Sequence, residues 1–457
     1  MLAAPLSTSA TQYSAKAAAP KKKVAVRKGA GAQQRSTGGR RKGGVDTASS
    51  LAKASGHYQK TPDMAELPEL DASAIAPAAI GTPVAWAPAA LKAMDAFGLP
   101  RELQRRHALQ PRPRSVVRAA SVELVEGMEK GAASGKPAGR QLLVGEPGCG
   151  KSTYLLQAVA HAIASGWAVV YVPRAIDWIN SSTAYTYSPA LQTYLQPDIA
   201  TDLLKAMAQV NGGVLKRVKS HAPLVVDGAE LFAQGTPLSE LLKKVLAEHQ
   251  SPVARQLALE LVWASLAQQT DVPVLVAVDD VQALFGATRY RDADFAALQA
   301  YEMAVPRAFL SLLFAPQAEG VRRGALLAAL SMGHSEYPPS PELLVALREA
   351  SRGEGAPVAW ERVIDTLSSP TSPTRVAEPH AYTPTHPQHL ENARKANLAL
   401  LDVGERLSRP EAASLLDLMR RERMLWATPN DELFLGKLVE SNGNIRVFER
   451  SWRSSLV

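Results

Sequence analysis

The sequence predicts an α/β protein whose core is a P-loop nucleotide-binding domain built on a parallel sheet. Three observations support this prediction. A glycine-rich loop follows a short apolar strand, strand-length apolar runs alternate with helical patterns, and a second buried run ends in Asp279 and Asp280. In a chain of 457 residues, of which 46% are hydrophobic, such a domain leaves room for extensions.

The first segment, residues 1–45, carries ten Lys or Arg residues and no Asp or Glu. The formal net charge of +8 comes from this segment, because the remainder has 41 basic and 43 acidic residues. Bases scattered among Ala, Ser and Thr without acids are typical of a mitochondrial transit peptide. A retained arm that binds RNA phosphates and a nuclear localisation patch at Lys21–Lys28 remain alternatives.

Composition also argues against a membrane-spanning protein and against a protein held together by disulfides or by cysteine-bound zinc. The apolar runs have strand length, whereas a membrane span needs about 18 or more consecutive apolar residues. The single cysteine, Cys149, has no second cysteine with which to form a disulfide or a zinc site. We therefore expect a soluble protein of a reducing compartment.

Residues 46–100 are rich in Ala and Pro and show little periodicity, so they predict an extended linker. The P-loop core is predicted over residues 101–365. A basic cluster opens this core, and a solvated face and a contact with phosphate are both open interpretations of it. The cluster consists of Arg101, Arg105, Arg106, Arg112, Arg114 and Arg118.

The strongest motif is QLLVGEPGCGKST at residues 141–153, where a short buried strand leads into GxxxxGK[ST]. Glycine and proline let successive backbone N–H groups face inward, where they can cradle phosphate oxygens. Lys151 is expected to reach the β- and γ-phosphates, and Ser152 to ligate Mg²⁺. The predicted nucleotide-binding residues are Gly145, Glu146, Pro147, Gly148, Cys149, Gly150, Lys151, Ser152 and Thr153.

The run VPVLVAVDDV at residues 272–281 predicts a second buried strand that ends in acidic residues. A carboxylate in this position can hold Mg²⁺ opposite the P-loop serine, so Asp279 joins Ser152 as a predicted metal residue. Asp227 in PLVVDG is a weaker rival, since its apolar run is shorter. Asp280 is the candidate catalytic residue. It stands where P-loop ATPases of the additional-strand type typically carry a glutamate, and hydrolysis is therefore expected to be slow or absent.

Two further strands complete the predicted sheet. Ala168–Val172 follows the P-loop helix, and Gly324–Ser331 ends in a hydroxyl that either occupies a sensor position near the γ-phosphate or closes an ordinary strand. Between the strand Ala168–Val172 and the acidic strand at residues 272–281, Thr236–Pro237 and Ser251–Pro252 each open a helix. These signals predict a helical insertion in the core.

The carboxyl-terminal part is predicted to be helical. Residues 366–389 contain five prolines and indicate a linker. Residues 390–457 are predicted to form a small helical subdomain, because Ser408 and Glu411 make a capping box and Asn430 caps the next helix.

Three segments together resemble the death-associated protein 3 family: LLVGEPGCGKST at the P-loop, YVPRAIDWINSSTAY at residues 171–185, and LFLGKLVESNGNIRVFERS at residues 433–451. The resemblance implies a GTP-binding protein of the small subunit of the mitochondrial ribosome, in the matrix, with an additional-strand, AAA+-like ATPase core. It also implies GTP, or ATP or GDP, with Mg²⁺ as ligands, and small-subunit proteins and rRNA as partners. The matching positions are Gly148, Gly150, Lys151, Ser152 and Thr153 in the loop and Asp279 on the metal side.

Three functions remain in view. The first is a structural ribosomal protein that is stabilised by its nucleotide, which Asp280 and the near-neutral body favour. The second is an active P-loop NTPase switch that remodels a partner complex. The third is a nuclear or cytosolic ATPase that binds nucleic acid through Lys21–Arg41. Base identity stays open, since the NKxD motif that selects guanine in Ras-like GTPases is absent from the sequence.

Overall fold

The computed structural model describes residues 67–454, apart from the segment 352–384 and short gaps at 111, 248–249, 316–319, 405, 423 and 426–428. The predicted transit segment 1–45 and most of the predicted linker 366–389 lie outside the described residues. Within the described ranges, every helix is too short or too polar to cross a membrane.

The described helices, in chain order, are α1 (Pro88–Phe97), α2 (Arg101–Leu109), α3 (Ala119–Ala133), α4 (Lys151–Ala164), α5 (Pro197–Val210), α6 (Leu238–Leu246), α7 (Pro252–Gln268), α8 (Ala304–Phe314), α9 (Pro341–Ser351), α10 (Pro387–Ala396), α11 (Arg409–Arg421), α12 (Asp431–Glu440) and α13 (Ile445–Ser454). The strands are β1 (Glu69–Leu70), β2 (Pro83–Trp86), β3 (Arg114–Val116), β4 (Arg140–Val144), β5 (Ala168–Val172), β6 (Thr186–Ser188), β7 (Thr193–Leu195), β8 (Leu224–Val226), β9 (Ala229–Phe232), β10 (Val274–Val278), β11 (Ala287–Arg291), β12 (Ala297–Gln299), β13 (Gly324–Ala329) and β14 (Ala399–Asp402).

Five strands form one parallel sheet in the order β14-β4-β13-β10-β5. Val274 of β10 pairs with Ala168 of β5 on one side and with Gly324 of β13 on the other. Every residue of β5, β10 and β13 is buried. Strands that are buried on both faces need continuous apolar runs, which is why the sequence reveals them. The predicted α/β class with a parallel sheet is confirmed.

The fifth strand, β14, has no counterpart among the predicted strands. Its four residues pair with β4, so that Leu400 lies opposite Leu142. It occupies an edge of the sheet and is at most partly buried. A run of four residues beside helical patterns gives no usable strand periodicity, so the sequence indicates only a helical subdomain here.

Helices cover both faces of the sheet, as the α/β class requires. Leu142 and Leu143 of β4 belong to different apolar clusters, because successive strand residues point to opposite faces. One cluster contains residues of α5, α7 and α8, and the other contains residues of α1, α3 and α4. Trp178 lies in the first cluster in edge contact with Phe309, 5.8 Å between ring centroids.

The two predicted helix starts of the insertion are found. Helix α6 begins directly after Pro237, and α7 begins at Pro252, where the Ser251 hydroxyl accepts a hydrogen bond of 3.1 Å from the Ala254 N–H. Asp227 and Gly228 have φ values of 50° and 80° and form the turn of the β8–β9 hairpin. Asp227 is exposed and lies outside the main sheet, so the structure removes it as a rival to Asp279.

The structure differs from the predicted extended linker over residues 67–100. This stretch contains β1, β2 and α1, and β1-β2-β3 form a small sheet. Its buried residues Leu67 and Ala85 share an apolar cluster with Leu415, Phe448 and Trp452 of the carboxyl-terminal helices. Part of the covering surface therefore comes from the far end of the chain, which local periodicity cannot reveal, and the rest comes from α3 and α4 of the core.

Candidate nucleotide-binding site

The P-loop connects the end of β4 to the start of α4 through three glycines in left-handed backbone conformations. Gly145, Gly148 and Gly150 have φ values of 149°, 90° and 114°. Side chains with a Cβ rarely adopt these angles, which explains why the motif needs glycine here. The helix that follows starts at Lys151, so its amino terminus and positive dipole end point toward the loop.

Contacts from outside the loop fix the orientation of its peptide groups. The Asn444 side chain donates a hydrogen bond to the Pro147 carbonyl at 3.1 Å. The Arg446 N–H donates to the Gly148 carbonyl at 3.2 Å, and the Arg118 guanidinium donates to the Cys149 carbonyl at 3.2 Å. In a trans peptide the C=O and the next N–H point in opposite directions. The N–H groups of Gly148 and Gly150 therefore face away from these contacts, toward the inner side of the loop.

Lys151 folds its side chain back over the loop. Its Nζ atom donates to the carbonyls of Gly145 at 2.8 Å and Glu146 at 3.0 Å, and lies 3.8 Å from the Cys149 Sγ atom. The lysine is 8% exposed. A buried ammonium needs hydrogen-bonding partners, and a phosphate would be a stronger partner than these neutral carbonyls.

Ser152 and Asp279 come together at the start of α4, as the sequence predicts. The Ser152 hydroxyl and the Lys151 charge both act on the Asp279 carboxylate and lower its pKa. Burial, followed by the charge of Asp280, raises the pKa of Asp279 to about 7. A hydroxyl and a buried carboxylate are the hard oxygen donors that Mg²⁺ prefers, so the residues present fit that ion.

Asp280 lies beside the metal-side aspartate in a left-handed conformation, with φ of 58°. Burial raises its pKa to about 6, while hydrogen bonds from Ser331 and Gln282 and the charge of Arg174 oppose that rise. Arg174 Nε lies 3.9 Å and His334 Nε2 3.8 Å from one carboxylate oxygen. The Ser331 hydroxyl therefore belongs to this polar network rather than merely ending a strand.

Arg174 and His334 are site residues that the sequence analysis does not single out. Both follow strands of the parallel sheet, Arg174 after β5 and His334 after β13. The signal that would have found them is position alone, because ligands of open α/β sheets bind outside the carboxyl ends of the strands. Gly333, next to His334, would bring a Cβ atom within 3.8 Å of the Pro147 side chain, which places this loop against the P-loop.

The segment Asn444–Arg446 forms an outer wall of the P-loop. A Cβ atom on Gly148 would lie 2.6 Å from the Cβ atom of Arg446, so only glycine allows this approach. Gly145 is similarly close to Gly404: a Cβ atom on Gly145 would lie 3.0 Å from the Gly404 Cα atom. The SNGN motif, whose physical role the sequence does not reveal, thus supports the loop from the other end of the chain.

The basic cluster of residues 101–118 has a third role that neither sequence interpretation included. Arg106, Arg114 and Arg118 form ion pairs with carboxylates of the carboxyl-terminal helices, namely Glu449, Glu422 and Glu411. Arg105 instead pairs with Glu102 on the surface. Three members of the cluster therefore join the two ends of the described chain to each other.

Comparison with known proteins identifies the family. A family model described as mitochondrial ribosomal death-associated protein 3 matches residues 115–451, which is more than half of the chain and includes the P-loop, Asp279 and the SNGN motif. The chain belongs to this family. The match confirms the resemblance found in the sequence, and with it the predicted mitochondrial location.

Three curated relatives carry the name small ribosomal subunit protein mS29. The chain is 26% identical to the Schizosaccharomyces pombe protein over 255 residues, which is 55% of this chain and 52% of the relative. It is 26% identical to the Neurospora crassa protein over 269 residues, 58% of this chain and 54% of the relative. The Mus musculus protein is 30% identical over 183 residues, 39% of this chain and 46% of the relative. The chain thus spans about half the length of the relatives that it matches.

Proposed function

We propose that this chain is a structural component of the small subunit of the mitochondrial ribosome, where it contacts small-subunit proteins and rRNA. We further propose that it binds a purine nucleotide, with GTP favoured, together with Mg²⁺ through its P-loop. The ribosomal role is supported by family membership and by relatives named as small-subunit proteins. The nucleotide role is supported above all by one observation, the Lys151 ammonium folded over a loop of three positive-φ glycines, where its Nζ atom donates to the Gly145 carbonyl at 2.8 Å.

The sheet order supports an additional-strand, AAA+-like core. Strand β13 lies between the P-loop strand β4 and the acidic strand β10. This inserted strand is the feature for which the additional-strand class is named. It carries Ser331 just beyond its end, so the inserted strand also contributes a hydroxyl to the site.

Each site residue has a distinct role in the proposed complex. The inward N–H groups of the loop and the amino terminus of α4 bind phosphate oxygens, and Lys151 exchanges its carbonyl partners for phosphate. Ser152 and Asp279 hold Mg²⁺, which neutralises phosphate charge when it is bound. Asn444 and the Arg446 backbone position the loop from outside without contacting the ligand themselves.

Slow or absent hydrolysis follows from the surroundings of Asp280. Its carboxylate is shared among Ser331, Gln282 and Arg174, and it is one methylene shorter than the glutamate of active relatives of the core. A general base must reach the attacking water with a free oxygen. Nucleotide binding then contributes stability instead of turnover, about 2.7 kcal/mol at a ligand concentration one hundred times Kd.

The nucleotide proposal is tested by titrating the full chain with a fluorescent GTP analogue in the presence of Mg²⁺. We expect saturable binding that Lys151→Ala weakens by at least about tenfold, because one charge-assisted contact contributes roughly 1.5–3 kcal/mol. Lys136→Ala is the matched control, since Lys136 is exposed and precedes the amino end of β4, whereas the P-loop follows the carboxyl end of that strand. Equal affinity of the Lys151 variant and wild type would refute the proposal.

The second candidate is the active NTPase switch, which the direct contact between the carboxyl-terminal segment and the P-loop favours. Phosphate release measured with excess GTP and Mg²⁺ separates the two. Release that both Lys151→Ala and Asp280→Asn abolish would establish the switch and exclude the purely structural role.

Sedimentation of gently lysed mitochondria tests the ribosomal part, for which we expect co-migration with small-subunit RNA.

A further inference from the structure

The turn between α12 and α13 restricts which residues can occupy it. Asn442 and Gly443 follow α12 with φ values of 49° and 71°. The Asn442 N–H donates to the Val439 carbonyl at 2.9 Å. The Gly443 N–H donates to the Leu438 carbonyl at 3.3 Å, which is longer than the usual limit of about 3.2 Å. This is the Schellman arrangement of a helix end, whose first left-handed residue is usually glycine or asparagine.

Position 443 requires glycine for a second reason, which is lack of space. A Cβ atom there would lie 2.7 Å from the Arg406 Cβ atom and 3.0 Å from the Leu407 backbone nitrogen. The Gly443 carbonyl also accepts a hydrogen bond of 2.8 Å from the Leu407 N–H, which holds the turn in this close contact. The fold therefore selects the dipeptide Asn–Gly at this place.

Asn–Gly is the dipeptide in which the main chain attacks the asparagine side chain most easily. Glycine has no side chain to shield its amide nitrogen, which can therefore reach the side-chain carbonyl of the asparagine before it. Asn442 is exposed, and its side-chain amide makes no hydrogen bond within the part of the chain that the structure describes. The Gly443 nitrogen is held only by its long hydrogen bond to Leu438. Both reacting groups are therefore available in the folded protein.

We propose that Asn442 is a site of spontaneous deamidation and that this reaction loosens the outer wall of the P-loop. The Gly443 nitrogen gives up its proton and bonds to the Asn442 Cγ atom while the Cγ–Nδ2 bond breaks, so that ammonia leaves and a cyclic imide remains. Water then opens the imide at either carbonyl. One product is an ordinary aspartate. The other is isoaspartate, in which the main chain runs through the former side chain and is one carbon longer.

Isoaspartate at position 442 displaces Asn444, which lies two residues further on. The Asn444 side chain donates to the Pro147 carbonyl at 3.1 Å and accepts from the Arg446 N–H at 3.1 Å. One additional main-chain carbon adds about 1.5 Å, whereas a hydrogen bond is lost when its atoms move apart by about 0.5 Å. The P-loop carbonyls then lose their external partners. The effect on nucleotide affinity rests on the proposed function, whereas the modification itself does not.

Asn211–Gly212 is a matched control within the same chain. Asn211 is 2% exposed, and its side chain accepts from the Val169 N–H and donates to the Val169 carbonyl, each at 2.8 Å. The full chain is incubated at mildly alkaline pH and digested with trypsin, which releases residues 206–216 and 438–446 as separate peptides. Mass spectrometry measures the gain of one mass unit in each. We expect Asn442 to react at least about tenfold faster, because Asn211 must first break two hydrogen bonds.

Hydrogen exchange of the amides of residues 145–152 measures the loosening of the P-loop without any nucleotide. We expect faster exchange in the incubated chain than in the fresh chain. Asn442→Gly should show no such change, because glycine keeps the left-handed turn and cannot deamidate. The incubated wild type should also bind the fluorescent GTP analogue roughly threefold to tenfold more weakly, as the loss of one hydrogen bond implies.

Two outcomes would overturn the proposal. Deamidation of Asn442 no faster than that of Asn211 would show that the turn protects its own asparagine. Deamidation of Asn442 with unchanged exchange in the P-loop would show that the outer wall does not depend on this turn. If the fresh chain fails to bind the GTP analogue, the proposed nucleotide binding is wrong, and the mass and exchange measurements still decide the present inference.

Discussion

Removal of one partner from the ion pair between Arg114 and Glu422 should destabilise the protein strongly. The two side chains are 2% and 0% exposed, and the pair is bidentate, with Nε donating to Oε1 at 2.6 Å and Nη2 donating to Oε2. Leaving one such charge buried without its partner costs about 3–5 kcal/mol. Glu422→Leu and Arg114→Met should each show this loss.

The expected change in melting temperature follows from the size of the cooperative unit. The compact unit Thr61–Val457 comprises 397 residues. At about 2.1 cal/mol/K per residue, its unfolding entropy is roughly 0.8 kcal/mol/K. A loss of about 3–5 kcal/mol therefore lowers the melting temperature by about 4–6 °C.

The assay is a melting series on wild type, both single variants and the double variant Arg114→Met with Glu422→Leu. The double variant should recover most of the loss, because it leaves no unpaired charge in an apolar site. Glu349→Leu is the control, since Glu349 makes an equally bidentate pair with Arg394 but is 43% exposed in its side chain. That replacement should leave the melting temperature nearly unchanged.

Two results would refute this reasoning. Single variants that melt with wild type would show that water reaches the pair and screens its charges. A double variant as unstable as the two single losses combined would show that packing, rather than charge pairing, governs this interface.

Three further changes have expected outcomes. Gly148→Ala would place a Cβ atom 2.6 Å from the Arg446 side chain at a φ of 90°, so it should reduce both stability and binding of the fluorescent GTP analogue. Gly139→Ala is the control and should change neither, because a Cβ atom there has nothing within 4 Å. Equal behaviour of the two variants would contradict the proposed wall. Burial raises the pKa of Asp279 from 3.8 to about 7, so the folded chain binds more protons than the unfolded chain in this range, and stability without nucleotide should fall as pH rises through it. Asp279→Asn should reduce that fall, leaving the part due to Asp280, and should raise the melting temperature at neutral pH. A wild-type melting temperature that does not depend on pH would contradict the buried charge. In the turn between β11 and β12, Phe295→Gly should raise the melting temperature relative to Phe295→Ala, because glycine adopts a φ of 61° without strain; the reverse order would show that the turn is unstrained.

The sequence predicts the parts of the molecule that short-range patterns determine. The P-loop, its strand and its helix are contiguous, and β5, β10 and β13 are continuous buried runs of five or six residues. The pairing of Ser152 with Asp279 is also predictable, because both lie at the carboxyl edge of a parallel sheet.

The rest depends on contacts between distant parts of the chain. Asn444 contacts Pro147 across 297 positions, and Arg114 pairs with Glu422 across 308. A cluster of arginines in a sequence gives no sign of which carboxylates will bury it. Residues 67–100 are buried partly against the P-loop core and partly against helices at the opposite end of the chain, and their own composition reveals neither contact.

The distant wall of the P-loop also sets an order of events during translation. Ribosomes add about 5–20 residues per second, so Asn444 emerges roughly 15–60 s after Pro147, from which it is 297 positions away. Until then the loop has its glycines, its lysine and the bond from Arg118, but it lacks the hydrogen bonds from Asn444 and Arg446 that orient its peptide groups. A chain whose synthesis stops early therefore carries the full motif without a complete site, and tight nucleotide binding becomes a property of finished molecules alone.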